Sequence, residues 1–278
     1  MTDTHFFDSL ETRTTAQRES EQFELLVGQL RHAKAKAPQY AELLAGIDPE
    51  AVTDRSALGK LPVTRKSELS QSQLRDPPFG GYAAAEEDDL LRVFASPGPV
   101  FEPQGRREDF WRFARALHAA GFRRGDLIHN TFSYHFTPAG FMVDSGAHAL
   151  GCTVFAAGTG QTELQVQAIA VLRPRGYVGT PSFLKIILDK AAETGLELSS
   201  LAVGAVSGEA LPNSLRDEIS TAGIDVLQAY ATADVGLIAY ESPARDGMIL
   251  DEHVIVEIVE PGTGNLVPEG EVGEILVT

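Results

Sequence analysis

Cysteine is nearly absent: one residue, Cys152, in 278. That excludes an internal disulfide and any cysteine-cluster zinc site, and fits a reducing compartment. In the apolar string "LGCTVFAAG" it reads as a small core side chain rather than a nucleophile. Basic residues are outnumbered, 23 Lys and Arg against 39 Asp and Glu, for a net charge of -16. A chain so acidic does not wrap nucleic acid or coat an anionic membrane by general electrostatics. Long apolar runs are missing too; no stretch approaches the roughly 18 consecutive apolar residues of a membrane-crossing helix. The opening "MTDTHFFDSLETRTTAQRESEQF" lacks the basic flank and apolar block of a signal peptide. The expectation is a cytoplasmic protein with neither nucleic acid nor membrane as partner, in which any anionic small molecule must be met by local donors.

What is present is a regular grammar. In "FELLVGQLRHAKAKAPQYAELLA", Leu25, Leu26, Leu30 and Ala33 recur at helical spacing until Pro38 interrupts them. "LGKLPVTRKSELSQS" reads as a loop and a short helix, with Thr64 and Glu68 close to capping-box spacing. From residue 90 strands and helices alternate: "DLLRVFAS", a helix over "REDFWRFARALHAAG" with Phe110, Phe113, Ala114 and Leu117 on one face, then "GDLIHNTF", "GFMVDSGAHALG", "CTVFAAG" and onward to "IDVLQAY". The helix over "TPSFLKIILDKAAETG" carries Thr180 as N-cap, Pro181 in the first turn and Gly195 as its stop. Such alternation predicts an α/β fold with a mostly parallel sheet flanked by helices. After residue 235, "VGLIAYES", "MILDEHVIVEIVEP" and "GEVGEILVT" predict a β-rich antiparallel subdomain. The expected organisation is thus a helical region over 1–89, an α/β core over 90–235 and the start of a β-rich subdomain over 236–278.

In an open parallel sheet, ligands collect beyond the carboxyl ends of the strands. "SPGPVFEPQG" after its strand has Ser96, Gly98 and Gly105, yet Pro97, Pro99 and Pro103 remove backbone donors that a phosphate cradle needs. Alone, it fits a stiffened structural turn at least as well as a phosphate site. "SGEALP" reads either as a ligand loop or as the cap of the following helix. His129 and His148 fall within strand and helix patterns and read as packing residues.

Taken in order, these segments resemble the adenylate-forming enzymes, and among them the phenylacetate-CoA ligase branch. "GTPSFL" with "ILDKAAETGLELSSLAVGAVSGEALPNSLRDEI" resembles the run into that branch's adenine-binding loop. "AYATADVGLIAYES" resembles its Tyr-Gly-x-Ser/Thr-Glu motif, and "LDEHVIVEIVEPGTGNLVPEGEVGEILVT" the stretch ending in Gly-Glu-Leu-Val-x-Thr. "RHAKAKAPQYAELL" and "LGKLPVTRKSEL" fit as well, so the likeness runs from about residue 22 onward.

The resemblance implies the fold of that superfamily's large N-terminal domain and the use of ATP, Mg²⁺ and coenzyme A on a small, aromatic carboxylic acid. "ASPGPVFEPQG" stands where the family keeps a Ser/Thr/Gly-rich phosphate loop, with Ser96, Gly98 and Pro103 as counterparts and the usual threonines replaced by Pro and Val. Ser207, Gly208, Glu209 and Ala210 correspond to the adenine loop, and Tyr230, Ala231 and Thr232 to nucleotide contacts near the α-phosphate. Asp234 stands where the family has a Mg²⁺-holding Glu; it keeps the charge and loses one methylene of reach. Tyr134, His135, Phe136, Gly140 and Phe141 fall in the aromatic-acid pocket segment. Further catalytic groups, an Asp, an Arg and the Lys of a small mobile domain, are expected beyond residue 278, with a homodimer compatible with the reading. The rival reading is a noncatalytic acyl- or nucleotide-binding relative with an eroded phosphate loop.

Overall fold

Thr14 starts the first long helix by accepting from the Gln17 amide while the Gln17 side chain accepts from the Thr14 amide, a closed capping box. This computed structural model describes residues 5–278. The helix, α1 (Thr15–Lys36), buries Phe23, Leu26, Val27 and Leu30, one 3.6-period stripe. Leu25, expected on that stripe, is 60% exposed. Pro38 begins α2 (Pro38–Leu43), and Asp54 caps α3 (Arg55–Leu58). α4 (Lys66–Arg75) starts at Arg65 with no side-chain cap, so the Thr64/Glu68 capping box does not form. β1 (Leu90–Ser96) and β2 (Val100–Gly105) then pair antiparallel as a separate two-stranded sheet. Gln73 of α4 fastens it, accepting from the Phe101 amide and donating to the Phe101 carbonyl, both at 2.8 Å.

The chain forms two units, Arg107–Asp251 together with residues 5–7, and Asp8–Arg106 together with Glu252–Thr278. The first contains α5 (Ala114–Ala119), β3 (Leu127–Asn130), α6 (Ala139–Leu150), β4 (Thr153–Ala156), α7 (Thr162–Leu172), β5 (Gly176–Gly179), α8 (Pro181–Thr194), β6 (Val203–Val206), α9 (Asn213–Thr221), β7 (Asp225–Thr232), β8 (Gly236–Glu241) and β9 (Met248–Leu250). They build one seven-stranded sheet in the order β4-β3-β5-β6-β7-β8-β9, parallel from β4 to β7 and antiparallel from β7 to β9. Neighbouring residues point to opposite faces: Val178, Ala205 and Leu227 pack with Leu117 of α5 and Val143 of α6, whereas Tyr177, Val206 and Val226 pack with Ile169 of α7, Ile187 of α8 and Ile219 of α9. Helices therefore cover both faces, as a parallel sheet requires. Cys152 is buried in the first of these clusters.

Two differences from the sequence reading have physical causes. The bounds expected at 89 and 235 are not where the units divide, because β1 and β2 pair with each other and β8 and β9 extend the main sheet. The helix expected over residues 107–121 begins only at Ala114, since Asp109 and Arg112 sit at φ 44° and 61°. Tertiary contacts hold that segment open. The Trp111 indole donates to the Ala233 carbonyl at 2.9 Å, and Arg112 reaches buried Asp251 at 2.8 Å and the carbonyls of Val235 and Leu237. Gly236, at φ 82°, makes room: a Cβ there would lie 2.7 Å from the Trp111 carbonyl oxygen.

The second unit closes with β10 (Val256–Val259) and β11 (Glu274–Val277), an antiparallel pair. Arg13 and Arg18 bind the buried Glu252 carboxylate at 2.6 and 2.7 Å, and Gln22 donates to the carbonyls of Glu252 and Val254. Ile255 completes that unit's core with Phe23, Leu26, Leu30, Leu44, Val52 and Leu58. Among the described residues no helix is long and apolar enough to cross a membrane.

Candidate functional site

The carboxyl ends of β3, β5, β6 and β7 lie along one edge of the sheet, and most of the expected site residues follow them. Behind β3, fully buried Asn130 donates to the Tyr134 hydroxyl at 2.8 Å and to the Gly140 carbonyl at 3.0 Å, while its own oxygen accepts from the Phe132 amide. The Tyr134 hydroxyl donates to Asp144 of α6 at 2.7 Å. Burial, and then the adjoining Asp144 carboxylate, hold the Tyr134 phenol far above its ordinary value, so it stays neutral. Phe141 meets the Tyr134 ring edge to face with centroids 5.2 Å apart. Only glycine fits at 140, where a Cβ would stand 2.8 Å from the Ser133 carbonyl oxygen and 3.0 Å from the Tyr134 ring. Tyr134, Gly140 and Phe141 thus form one fixed aromatic wall. His135 and Phe136 do not join it: both are exposed, Phe136 at 79%, on a turn in which Phe136 has φ 58°.

Beside this wall, Thr131 donates to the Tyr177 hydroxyl at 2.8 Å, and that hydroxyl donates to the Thr180 carbonyl at 2.9 Å. Burial raises the Tyr177 phenol, so it too remains a neutral relay. The Thr180 hydroxyl accepts from the Phe183 amide at the start of α8, and the Glu209 carboxylate accepts from the next free amide there, Ser182, at 2.7 Å. Glu209 therefore pins the loop after β6 to α8. In that loop Ser207 is nearly buried and its amide donates to the Gly179 carbonyl, while Gly208, Glu209 and Ala210 are exposed. Gly208 has φ 84°, a conformation that favours glycine, and a Cβ there would sit 3.6 Å from the Phe132 ring and 3.5 Å from Thr180. Through Phe132 the loop after β6 adjoins the segment after β3.

At the end of β7, Tyr230 is 41% exposed, Ala231 and Thr232 are half-buried, and the Thr232 hydroxyl accepts from the Val235 amide at 3.2 Å. Asp234 is exposed at the tip. Among the described residues no three His, Cys, Asp or Glu side chains are grouped as a metal cage. One carboxylate at an open edge still fits Mg²⁺, which keeps most of its waters and takes phosphate oxygens as further ligands.

Ser96 and Gly98 belong to the other unit, in the turn between β1 and β2. The Ser96 hydroxyl donates to Glu102 at 2.7 Å, and Lys66 reaches the same carboxylate oxygen at 2.8 Å. The hydroxyl is committed inside the hairpin, next to a buried negative group. Gly98 occupies φ 152°.

Sequence reasoning missed Asn130, Asp144, Thr131, Tyr177 and the anchoring role of Glu209. A signal existed for two of them: Asn130 ends an apolar strand, and Asp144 is the one acid in "AGFMVDSGAHAL". It also missed Glu241, which binds Arg216 with both oxygens and accepts from the Gln228 amide, stiffening β7 just before the site.

A sheet of this topology with its loops gathered at the carboxyl edge defines a class, and the family model described as "AMP-binding enzyme" matches residues 113–278. The chain belongs to that family. Among individual proteins it is 32% identical over 273 residues to the phenylacetate-coenzyme A ligase of Aromatoleum evansii, covering 92% of this chain and 61% of that protein. The phenylacetate-coenzyme A ligase of Pseudomonas putida is 31% identical over 292 residues, covering 99% and 65%. The chain thus spans under two thirds of the length of these relatives. Its fold is that of a 2-hydroxyisobutyryl-CoA ligase solved with 2-HIB-AMP and CoA, at a TM-score of 0.91 and 24% identity over 100% of this chain and 64% of that one. An anthranilate CoA ligase bound to anthranoyl-AMP aligns over 70% of this chain and 40% of its own, at a TM-score of 0.55 and 20% identity.

Proposed function

We propose that this chain supplies the nucleotide- and acid-binding part of an AMP-forming acid-CoA ligase acting on a small aromatic carboxylic acid in the cytoplasm. The supporting observation is the nearness of Gly208 to Phe132, whose ring lies 3.6 Å from where a Cβ at 208 would stand, so that the loop after β6 adjoins the segment carrying the aromatic wall. A carboxyl group resting beyond the Tyr134–Phe141 wall would then lie beside a nucleotide on Ser207–Ala210, with Tyr230, Ala231 and Thr232 alongside. In the first half-reaction a carboxylate oxygen attacks the α-phosphorus, the bond to the β-phosphate breaks and pyrophosphate leaves. In the second, the thiol sulfur of coenzyme A attacks the acyl carbon and AMP leaves. Mg²⁺, when bound, supplies charge neutralisation, and Asp234 would offer it one oxygen. In the turn between β1 and β2 the Ser96 hydroxyl is held by Glu102 and is not offered to a phosphate.

That loss gives the reading its test. The chain should bind a phenylacetyl-AMP analogue, such as the acyl sulfamate, at least tenfold more tightly than ATP in isothermal titration with Mg²⁺ present. ATP binding tenfold more tightly than the analogue would overturn the assignment of the acyl-adenylate to these loops.

A further inference from the structure

Strand β3 turns two neighbouring polar residues to opposite faces of the sheet, and both are fully buried. Asn130 faces α6 and holds the aromatic wall. His129 faces α7, where its Nε2 meets the Gln165 side-chain oxygen. The Gln165 side chain donates to the Gly158 carbonyl at 2.8 Å and to the Gly160 carbonyl at 3.1 Å. Both of its N–H groups are thereby spent, so its oxygen has to accept and the imidazole carries its proton on Nε2. Nδ1 is the bare nitrogen, and among the described residues nothing donates to it.

A buried polar chain of this kind fixes the groups at its end. Here the end is the loop after β4, residues 157–161. Gly158 and Gly160 stand at φ 71° and 74°, the left-handed conformation favoured by glycine, and this lets both carbonyls turn to one side chain. The same loop folds back onto β3: the Asn130 carbonyl accepts from the amides of Ala157 at 3.0 Å and Gly158 at 3.1 Å. Asn130 therefore holds this loop with its backbone while it holds Tyr134 and Gly140 with its side chain. We infer that the loop after β4 forms the second side of the acid site, and that His129, acting through Gln165, is the residue that positions it. The inference rests on the acid-CoA ligase reading above, and it gives His129 a part beyond the packing role that its strand pattern suggests. His129 touches no substrate.

Isothermal titration of the whole chain with AMP and with the phenylacetyl sulfamate analogue of the acyl-adenylate separates the two halves of the site. His129→Phe keeps a flat ring and removes the donor; it should weaken the analogue roughly tenfold, about one hydrogen bond's worth, and AMP less than twofold. His129→Gln restores an N–H toward Gln165 and should return the analogue to within threefold of the parent. Gln165→Met should match His129→Phe, and the double variant should lose no more than the larger single loss, because the two residues act as one device. In spectra of the ligand-free chain, the amide signals of Gly158 and Gly160 should shift in His129→Phe and return in His129→Gln. If His129→Phe has no cooperative melt, Gln165→Met carries the comparison from the α7 side. A parent chain that fails to bind the analogue overturns the ligase reading and this inference with it. A parent that binds, with analogue and AMP weakened equally, with the analogue unaffected, or with His129→Gln no better than His129→Phe, overturns the role of His129 alone.

Discussion

Two turns in this molecule begin with serine, contain a glycine at positive φ and follow a strand, yet they spend their polar groups differently. Ser96 is 7% exposed and Ser207 is 9% exposed, so burial does not tell them apart. Their hydroxyls do. Ser96 donates to Glu102, which Lys66 also holds, inside an antiparallel hairpin. Among the described residues, Ser207 makes hydrogen bonds through its amide alone, at the carboxyl edge of a parallel strand. What separates the turn at Ser96 from the proposed ligand loop at Ser207 is where the polar groups are spent, and sequence similarity between the turns conceals it.

The largest expected effect breaks the frame on which one of those turns rests. At Gly179, the end of β5, a Cβ would collide with both Thr131 and Tyr177. Gly179→Ala should destabilise the chain by more than about 4 kcal/mol, the range of severe core disruption, and yield protein without a cooperative melt. A melting temperature within a few degrees of the parent would mean that the Thr131–Tyr177–Thr180 relay does not organise this edge.

Next in size comes the direct contrast. Ser96→Ala removes a buried hydrogen bond to a carboxylate and should cost about 2 kcal/mol of stability, with AMP affinity changing less than twofold. Ser207→Ala should do the reverse, lowering AMP affinity roughly five- to tenfold, about one hydrogen bond's worth, at an unchanged melting temperature. Equal behaviour of the two variants in both assays would erase the distinction.

The smallest effect sharpens the contrast with a third case. Among the described residues His129 Nδ1 has no hydrogen-bond partner, and the ring is sealed in the core with Nε2 against Gln165. Burial holds that imidazole below its ordinary value, with the Gln165 bond a weaker opposing influence. Below about pH 6.5 the unfolded chain takes up a proton that folded His129 refuses, so stability falls as the pH drops toward the lowered folded value, by at most about 1.4 kcal/mol per unit. Urea midpoints between pH 7.5 and 5.5 should show that slope, and His129→Gln should flatten it. An identical slope in the variant would assign acid sensitivity to other groups.

Much of the first unit was legible because its signals are local. Thr180, Pro181 and Gly195 delimit α8 as read, and the alternation from β3 to β7 by itself specifies a parallel sheet. What escaped depends on partners distant in the chain. The helix expected from residue 107 is shortened by Ala233, Val235, Leu237 and Asp251, and nothing near Trp111 announces them. The aromatic wall was legible in Tyr134, Gly140 and Phe141, while Asn130 and Asp144, which hold it, were not. Likewise, Ser96 reads as a phosphate ligand in the sequence, whereas its hydroxyl donates a hydrogen bond to Glu102.

The central claim is that the nucleotide sits on the loops at the carboxyl edge of the parallel sheet. Backbone amide shifts of the isotope-labelled chain titrated with AMP test it most directly. The account predicts saturable shifts at Ser207, Gly208, Glu209, Ala210, Tyr230, Ala231 and Thr232, with Ser96 and Gly98 unmoved. Shifts concentrated at Ser96 and Gly98, with the loops after β6 and β7 silent, would contradict it.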